Sequence, residues 1–216
     1  MRSPYPQEAR LHAKKKSIRA SEQRRQDIAV QREAWRERLR RLNPRRLIYL
    51  DETGAKTNMT RAFARARKGE RAVDYAPHGH WNTTTLVAGV TLESPIAPMI
   101  LDGPMDTAAF EAYVEHMLVP ALPRGSIVVM DNLSAHKSPA IARLLHGAGA
   151  ELWYLPPYSC DFNPIEPMWA KVKSSLRRAK ARIQEELWDA IATALSEITS
   201  SDIRGFFHHC GVGIIS

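Results

Sequence analysis

The sequence of 216 residues predicts an α/β fold, a mixed sheet flanked by helices, with a basic helical arm in front. Three observations carry that prediction. The element order is strands first, then strand and helix in alternation, then helices. The strand candidates are short apolar runs bounded by turn residues. The charge splits sharply along the chain.

That split separates two regions. Residues 1–46 carry 15 Lys/Arg against 5 Asp/Glu, whereas residues 47–216 carry 16 against 18. The formal net charge of +8 therefore resides in the arm. A basic arm can neutralise nucleic-acid phosphates and release their counterions. A solvated helix has the same composition, so charge alone leaves the two readings level. With 44% hydrophobic and 25% charged residues, the remainder has ample apolar content for one core. No run of 18 apolar residues occurs, so no spanning helix and no membrane partner are expected. The basic N-terminus lacks the apolar stretch of a secretory signal. Cys160 and Cys210 stand far apart, suggest no disulfide framework and fit a reducing, cytoplasmic setting.

Residues 1–20 read as irregular, with Pro4, Pro6 and a lysine run at 14–16. Ile28, Trp35 and Leu42 recur every seven residues, with Leu39 beside them, and predict a helix over 21–42. Asn43-Pro44 ends it, because the residue before a proline disfavours helical geometry. Its narrow apolar stripe must rest on the next domain or on another chain. The expected division is an arm or linker over 1–45 and a domain over 46–216. Residues 47–51 read as a short buried strand, and 54–80 as an irregular basic loop with six Lys/Arg between Lys56 and Arg71. Residues 81–92 and 96–101 form a hairpin around Ser94-Pro95. A helix follows over 107–119, a strand over 127–130, a helix over 139–146 and a strand over 151–155. Helices over 164–180 and 184–199 and a short tail complete the chain. A ribonuclease-H-like fold satisfies this order, as do several other α/β folds.

Three acids stand where such a fold can gather them. Asp51 closes the first strand in LIYLDETG, Asp131 closes a central strand in SIVVMDNLSAH, and Glu166 opens a helix in PPYSCDFNPIEPMW. Open α/β sheets tend to place their sites at such strand ends. Clustered carboxylates repel unless protonated or bridged by cations. Hard divalent ions relieve that repulsion, and a pair of them suits in-line displacement at phosphorus. Each acid also has a structural explanation. Asp at a strand end is a common turn former. Glu166, three residues after Asn163 with Pro164 between, fits a capping box that ties down the helix start.

The wording around the third acid, PPYSCDFNPIEPMWAKVK, resembles the signature of DDE transposases of the mariner superfamily, in the bacterial insertion-sequence branch. LDETGAKTNMTR resembles the first-acid motif of that branch and VVMDNLSAHKS the second. The 34 residues between Asp131 and Glu166 agree as well. The resemblance runs from about Leu47 to Val172. It implies a ribonuclease-H-like core, two Mg²⁺ or Mn²⁺ ions held by Asp51, Asp131 and Glu166, and cleavage of element ends followed by strand transfer. It implies double-stranded DNA as partner, and a homodimer on that DNA. Asn132, His136, Asp161 and Asn163 fall on motif positions and are expected to orient loops. Cys160 departs from the pattern, which usually has proline there, and a looser turn is expected. Full-length relatives carry helix-turn-helix modules, whereas only about 45 residues precede the first motif here. The expectation is therefore a split or truncated transposase, its end recognition supplied by another polypeptide. The competing readings are another metal nuclease of the same fold, such as a junction resolvase, which the motif wording disfavours, and an inactive DNA-binding remnant.

Lys171, Lys173, Arg177 and Arg178 crowd the helix that Glu166 begins. Ile165, Met168, Val172 and Leu176 form its inward stripe, so the cations are candidates for phosphate contact or a plain solvated face. The loop over 54–80 admits the same two readings, and Trp81 reads as core before base stacking. Neither His78 with His80 nor His208, His209 and Cys210 has familiar zinc spacing.

Overall fold

In the computed structural model, which describes residues 20–61, 63–76 and 83–213, five strands form one sheet. β1 (Leu47–Ala55), β2 (Thr84–Val90) and β3 (Pro95–Asp102) make an antiparallel meander. β4 (Ile127–Met130) pairs parallel with the other side of β1, and β5 (Glu151–Tyr154) pairs parallel with β4. The spatial order is β3-β2-β1-β4-β5. Parallel neighbours need crossover connections, and helices supply them.

Both faces of the central strands are covered. Leu47, Tyr49, Ile127 and Val129 join one core with Trp169 and Phe207; Leu50, Val128 and Met130 join the other with Phe110 and Ile141. This period-two alternation between two dry faces is why β1 and β4 read as unbroken apolar runs. The first core is closed by α1 (Gln26–Arg40), α5 (Ile165–Ala179), α6 (Gln184–Ser196) and α7 (Ser200–His209). The second is closed by α2 (Thr107–Tyr113), the π-helical segment after it and α4 (Pro139–Gly147).

The stripe of α1 rests on its own chain. Trp35 and Leu39 enter the first core, Trp35 meeting Trp153 edge-on with centroids 6.0 Å apart. Burying side chains of this size stabilises by about 1.5–3 kcal/mol each.

Several boundaries differ from expectation for physical reasons. β1 continues four residues beyond Asp51, because its end still finds partners on β2 as far as Ala55 opposite Thr84. The hairpin strand expected from 81 begins at Thr84, and Trp81 lies outside the described residues. α2 is capped by Asp106 and passes into the π-helical Val114–Leu118, then into the short α3 (Val119–Ala121). Pro120 has no N–H to give the preceding turn, and the widened turn stands directly ahead of it. The expected tail is corrected to a helix: Thr199 and Asp202 form a capping box, and α7 buries Ile203 and Phe207. No described helix is long and apolar enough to cross a membrane.

Candidate active site

The parallel register of β1 and β4 pairs Tyr49 with Val129. Two residues further along each segment, past the last paired position, stand Asp51 and Asp131. Asp131 immediately follows the last residue of β4. Glu166 lies in the first turn of α5, exposed, while Ile165, Met168, Trp169, Val172 and Leu176 of the same helix are buried. The amphipathic spacing of α5 thus leaves Glu166 on its open side, at the cleft that Asp51 and Asp131 also line. All three carboxylates line one cleft of about 680 Å³, shared with Asn132, Asp161 and Asn163.

The capping role open to Glu166 is not realised. Pro164 occupies the N-cap, no side-chain cap bond forms there, and the backbone N–H of Glu166 bonds to Asn163 O at 3.1 Å. The carboxylate remains in the cleft, where the positive end of the α5 dipole favours its charge.

Each acid has a different electrostatic setting. Burial, then the neighbouring charges of Glu166, Glu52 and Asp131, push the Asp51 carboxyl up to about 8. Its Oδ1 accepts the Glu52 N–H at 2.9 Å and its Oδ2 accepts the Asn163 amide at 3.3 Å. Partial desolvation of its carboxyl in the cleft also raises Glu166, although the residue as a whole is exposed; Lys173 opposes that rise and Asp131 adds to it. For Asp131 burial acts upward, but hydrogen bonds from His136 and the Leu133 N–H outweigh it and hold the carboxyl below its usual value. His136 is fully buried, its Nδ1 2.7 Å from Asp131 Oδ1 and its Nε2 2.9 Å from Glu52 Oε2. Burial works against its charge, yet the two carboxylates raise it to about 9, so both ring nitrogens donate at neutral pH. The ring lies against Phe110, with centroids 4.5 Å apart.

This donor set fits a divalent cation. Asp51 and Glu166 are held above their usual range by burial and by nearby carboxylates, a condition that a bound cation reverses. The buried Oδ1 of Asn163, beside Asp51, has no hydrogen-bond partner. Among the described residues no three His, Cys, Asp or Glu side chains close on one metal position. The site is therefore an open acidic cleft rather than a finished cage. Mg²⁺ suits such a cleft, because it usually takes one or two carboxylates and leaves its other positions to water and phosphate.

Of the motif residues, Asn132 donates to the Leu155 carbonyl and Asp161 receives both terminal nitrogens of Arg32, so both tie loops down. The turn Cys160–Phe162 forms with cysteine in place of proline. Sequence reasoning missed Glu52, Arg32 and Gln23. Only Arg32 left a signal, a cation on the stripe of Ile28, Trp35 and Leu39. On α5, Lys171 donates to Asp202 at 2.5 Å and so serves the α7 cap, whereas Lys173 is near enough to Glu166 to act on its charge. Arg177 and Arg178 occupy the last turn of α5. Arg182 donates to the carbonyls of Thr57, Met59 and Tyr75, gripping both ends of the basic loop. His208 and His209 are exposed while Cys210 is buried, and His78 and His80 lie outside the described residues.

Residues 46–188 match the family model of the DDE superfamily endonucleases. The fold is similar to that of Mos1 transposase in its paired-end complex with the left transposon end. That match has a TM-score of 0.71 at 17% identity and covers 92% of this chain and 63% of the other. The Mos1 strand transfer complex gives the same TM-score and identity over 95% and 63%. The isolated catalytic domain of Mos1 mariner transposase gives 0.59 at 14% identity, covering 91% of each chain. The chain thus spans 63% of the length of the longer transposase chain. At these identities the likeness shows a shared ribonuclease-H-like fold. A comparison with curated proteins returns no match.

Proposed function

This chain belongs to the DDE superfamily of endonucleases, and from that premise we propose that it is the catalytic domain of a mariner-type transposase of the bacterial insertion-sequence branch. Its reaction is cleavage of double-stranded DNA at element ends and transfer of the freed ends to a target. The observation that carries this reading is the convergence of Asp51, Asp131 and Glu166, from two adjacent strands and a helix start, on one cleft.

Asp51, Asp131 and Glu166 are the residues to hold Mg²⁺ or Mn²⁺, and solved complexes of Mos1 with either metal support that choice. A pair of such ions, once bound there, would supply the Lewis acidity for a phosphodiester exchange. The chain's own groups prepare the site. Asn163 and the Glu52 N–H orient Asp51, while His136 and the Leu133 N–H orient Asp131. Lys173, about two turns beyond Glu166 on α5 and partly exposed, suits a phosphate of the bound duplex, with Arg177 and Arg178 continuing the same basic helix. A homodimer on DNA and end recognition by a separate helix-turn-helix polypeptide belong to the same reading.

The test is incubation of the full chain with duplex carrying the element's ends, with Mg²⁺ or Mn²⁺ and with or without a candidate partner polypeptide. Metal-dependent nicking that Asp131→Asn abolishes, with products joined to a second duplex, supports transposition. Tight binding with no cleavage under any of these conditions marks a DNA-binding remnant instead.

A further inference from the structure

Arg32 sits on the apolar stripe of α1, and its side chain is only 6% exposed. A guanidinium that dry needs strong acceptors, because an uncompensated buried charge is costly. It finds them about 130 residues away in sequence, in the loop between β5 and α5. Nη1 donates to Ser159 Oγ at 2.7 Å and to Asp161 Oδ1 at 2.9 Å, and Nη2 donates to Asp161 Oδ2 at 2.6 Å. The same group lies 4.2 Å from the Phe162 ring centroid, with Arg36 5.0 Å from that centroid. Just before α1, Gln23 donates to the Tyr158 carbonyl at 2.7 Å. All these contacts fall on residues 158–162.

That short loop sets two of the three acids. Its turn is closed by the N–H groups of Phe162 and Asn163, bonded to the carbonyls of Ser159 and Cys160. Asn163 then donates its side-chain amide to Asp51, and its carbonyl accepts the N–H of Glu166. We infer that Arg32 is a positioning residue for the acidic site. By gripping Asp161 with both terminal nitrogens it fixes the Cys160–Phe162 turn, and through it Asn163 against Asp51 and the start of α5 that presents Glu166. The N-terminal helix is on this account a working part of the catalytic unit. The inference rests on reading the three acids as metal ligands.

Lysine at position 32 keeps the charge but lacks the planar fork that matches a carboxylate. The experiment compares the wild-type chain with Arg32→Lys, Asp161→Asn and the double variant. Mn²⁺ binding is followed by calorimetry, amide hydrogen exchange by mass spectrometry, and nicking by steady-state kinetics. In Arg32→Lys, exchange over 158–166 is expected to rise about tenfold while β1 and β4 keep wild-type protection. Mn²⁺ affinity is expected to fall about 10- to 100-fold, as for other groups that orient metal ligands. The double variant should be no worse than the poorer single, since both act through one contact. Nicking should lose kcat with KM for DNA unchanged; a raised KM at constant kcat makes Arg32 a DNA contact and overturns the inference. Loop exchange equal to wild type overturns it too, as does a loosened loop with wild-type Mn²⁺ affinity. Should Arg32→Lys fail to fold, Asp161→Asn carries the same comparison. A wild-type chain that binds no Mn²⁺ breaks the metal-ligand reading itself, and loop exchange in Arg32→Lys then decides the positioning role alone.

Discussion

On the β1 wall of the cleft, Asp51 is buried among other carboxylates; on the β4 wall, one register step away, Asp131 is held by a buried histidine. The first carboxyl is pushed up to about 8 and the second is drawn below its usual value. Neighbouring strands and equal parity give the two acids almost the same address, so the difference lies in what surrounds each. Asp51 lies within a strand that runs on past it, and the Glu52 N–H and the Asn163 amide donate to its carboxyl. Asp131 stands where the chain leaves the sheet, and the turn that follows brings His136 back onto it. One wall is thus poised to gain a cation, and the other already carries one as an imidazolium.

The largest effect expected is on chemistry. If both walls supply ligands, Asp51→Asn and Asp131→Asn should each reduce Mg²⁺-dependent nicking by about a thousandfold or more. A variant of either wall that keeps substantial nicking breaks the picture of a shared site.

Next in size is the metal-free stability of the β1 wall. Folded Asp51 keeps a proton that the unfolded chain releases near pH 4, so this group lowers stability as pH rises from about 4 to about 8. Asp51→Asn should remove that loss and gain on the order of a few kcal/mol at pH 8, read from urea melts in a chelator. Added Mn²⁺ should raise the wild-type Tm more at pH 8 than at pH 5, because binding must displace that proton.

The β4 wall responds over a different window. His136 has a folded value of about 9, above the ordinary 6.5. The stability it contributes is therefore complete below 6.5 and lost as pH rises through about 9. His136→Gln should cost about 1–3 kcal/mol at pH 6, and the deficit should shrink by pH 10. Asp51→Asn should leave this upper window in place; if it erases both, the walls titrate as one unit.

The smallest effects concern the α5 cations. Lys173→Ala should weaken duplex binding a few-fold and lower the salt slope by about one, measured by titration at several salt concentrations. Lys171→Ala should leave DNA affinity unchanged and cost below about 1 kcal/mol in thermal melts, since that ammonium is engaged by Asp202.

Much of the fold was legible because it rests on local periodicity. β4 was bounded correctly by its apolar run, and the inward stripe of α5 by its helical spacing. The start of α7 is also written locally, in Thr199 and Asp202. The extent of β1 was not legible. Residues 52–55 are partly exposed save Ala55, and only pairing with β2 keeps them extended. The three acids, with His136 and Asn163 beside them, could be named from their motifs, but Glu52 and Arg32 had to be found in space. Glu52 reaches His136 across 84 positions of sequence, and Arg32 reaches Asp161 across 129.

By itself the sequence determined which carboxylates could meet. Alternation within each strand and the amphipathic spacing of a helix are properties of neighbouring residues, and they set which way each acid points. The tertiary structure decided how those acids are charged and held, and where the basic N-terminal helix belongs. Burial, opposing charge and a bidentate grip depend on groups that become neighbours only when distant segments pack, and no local pattern encodes them.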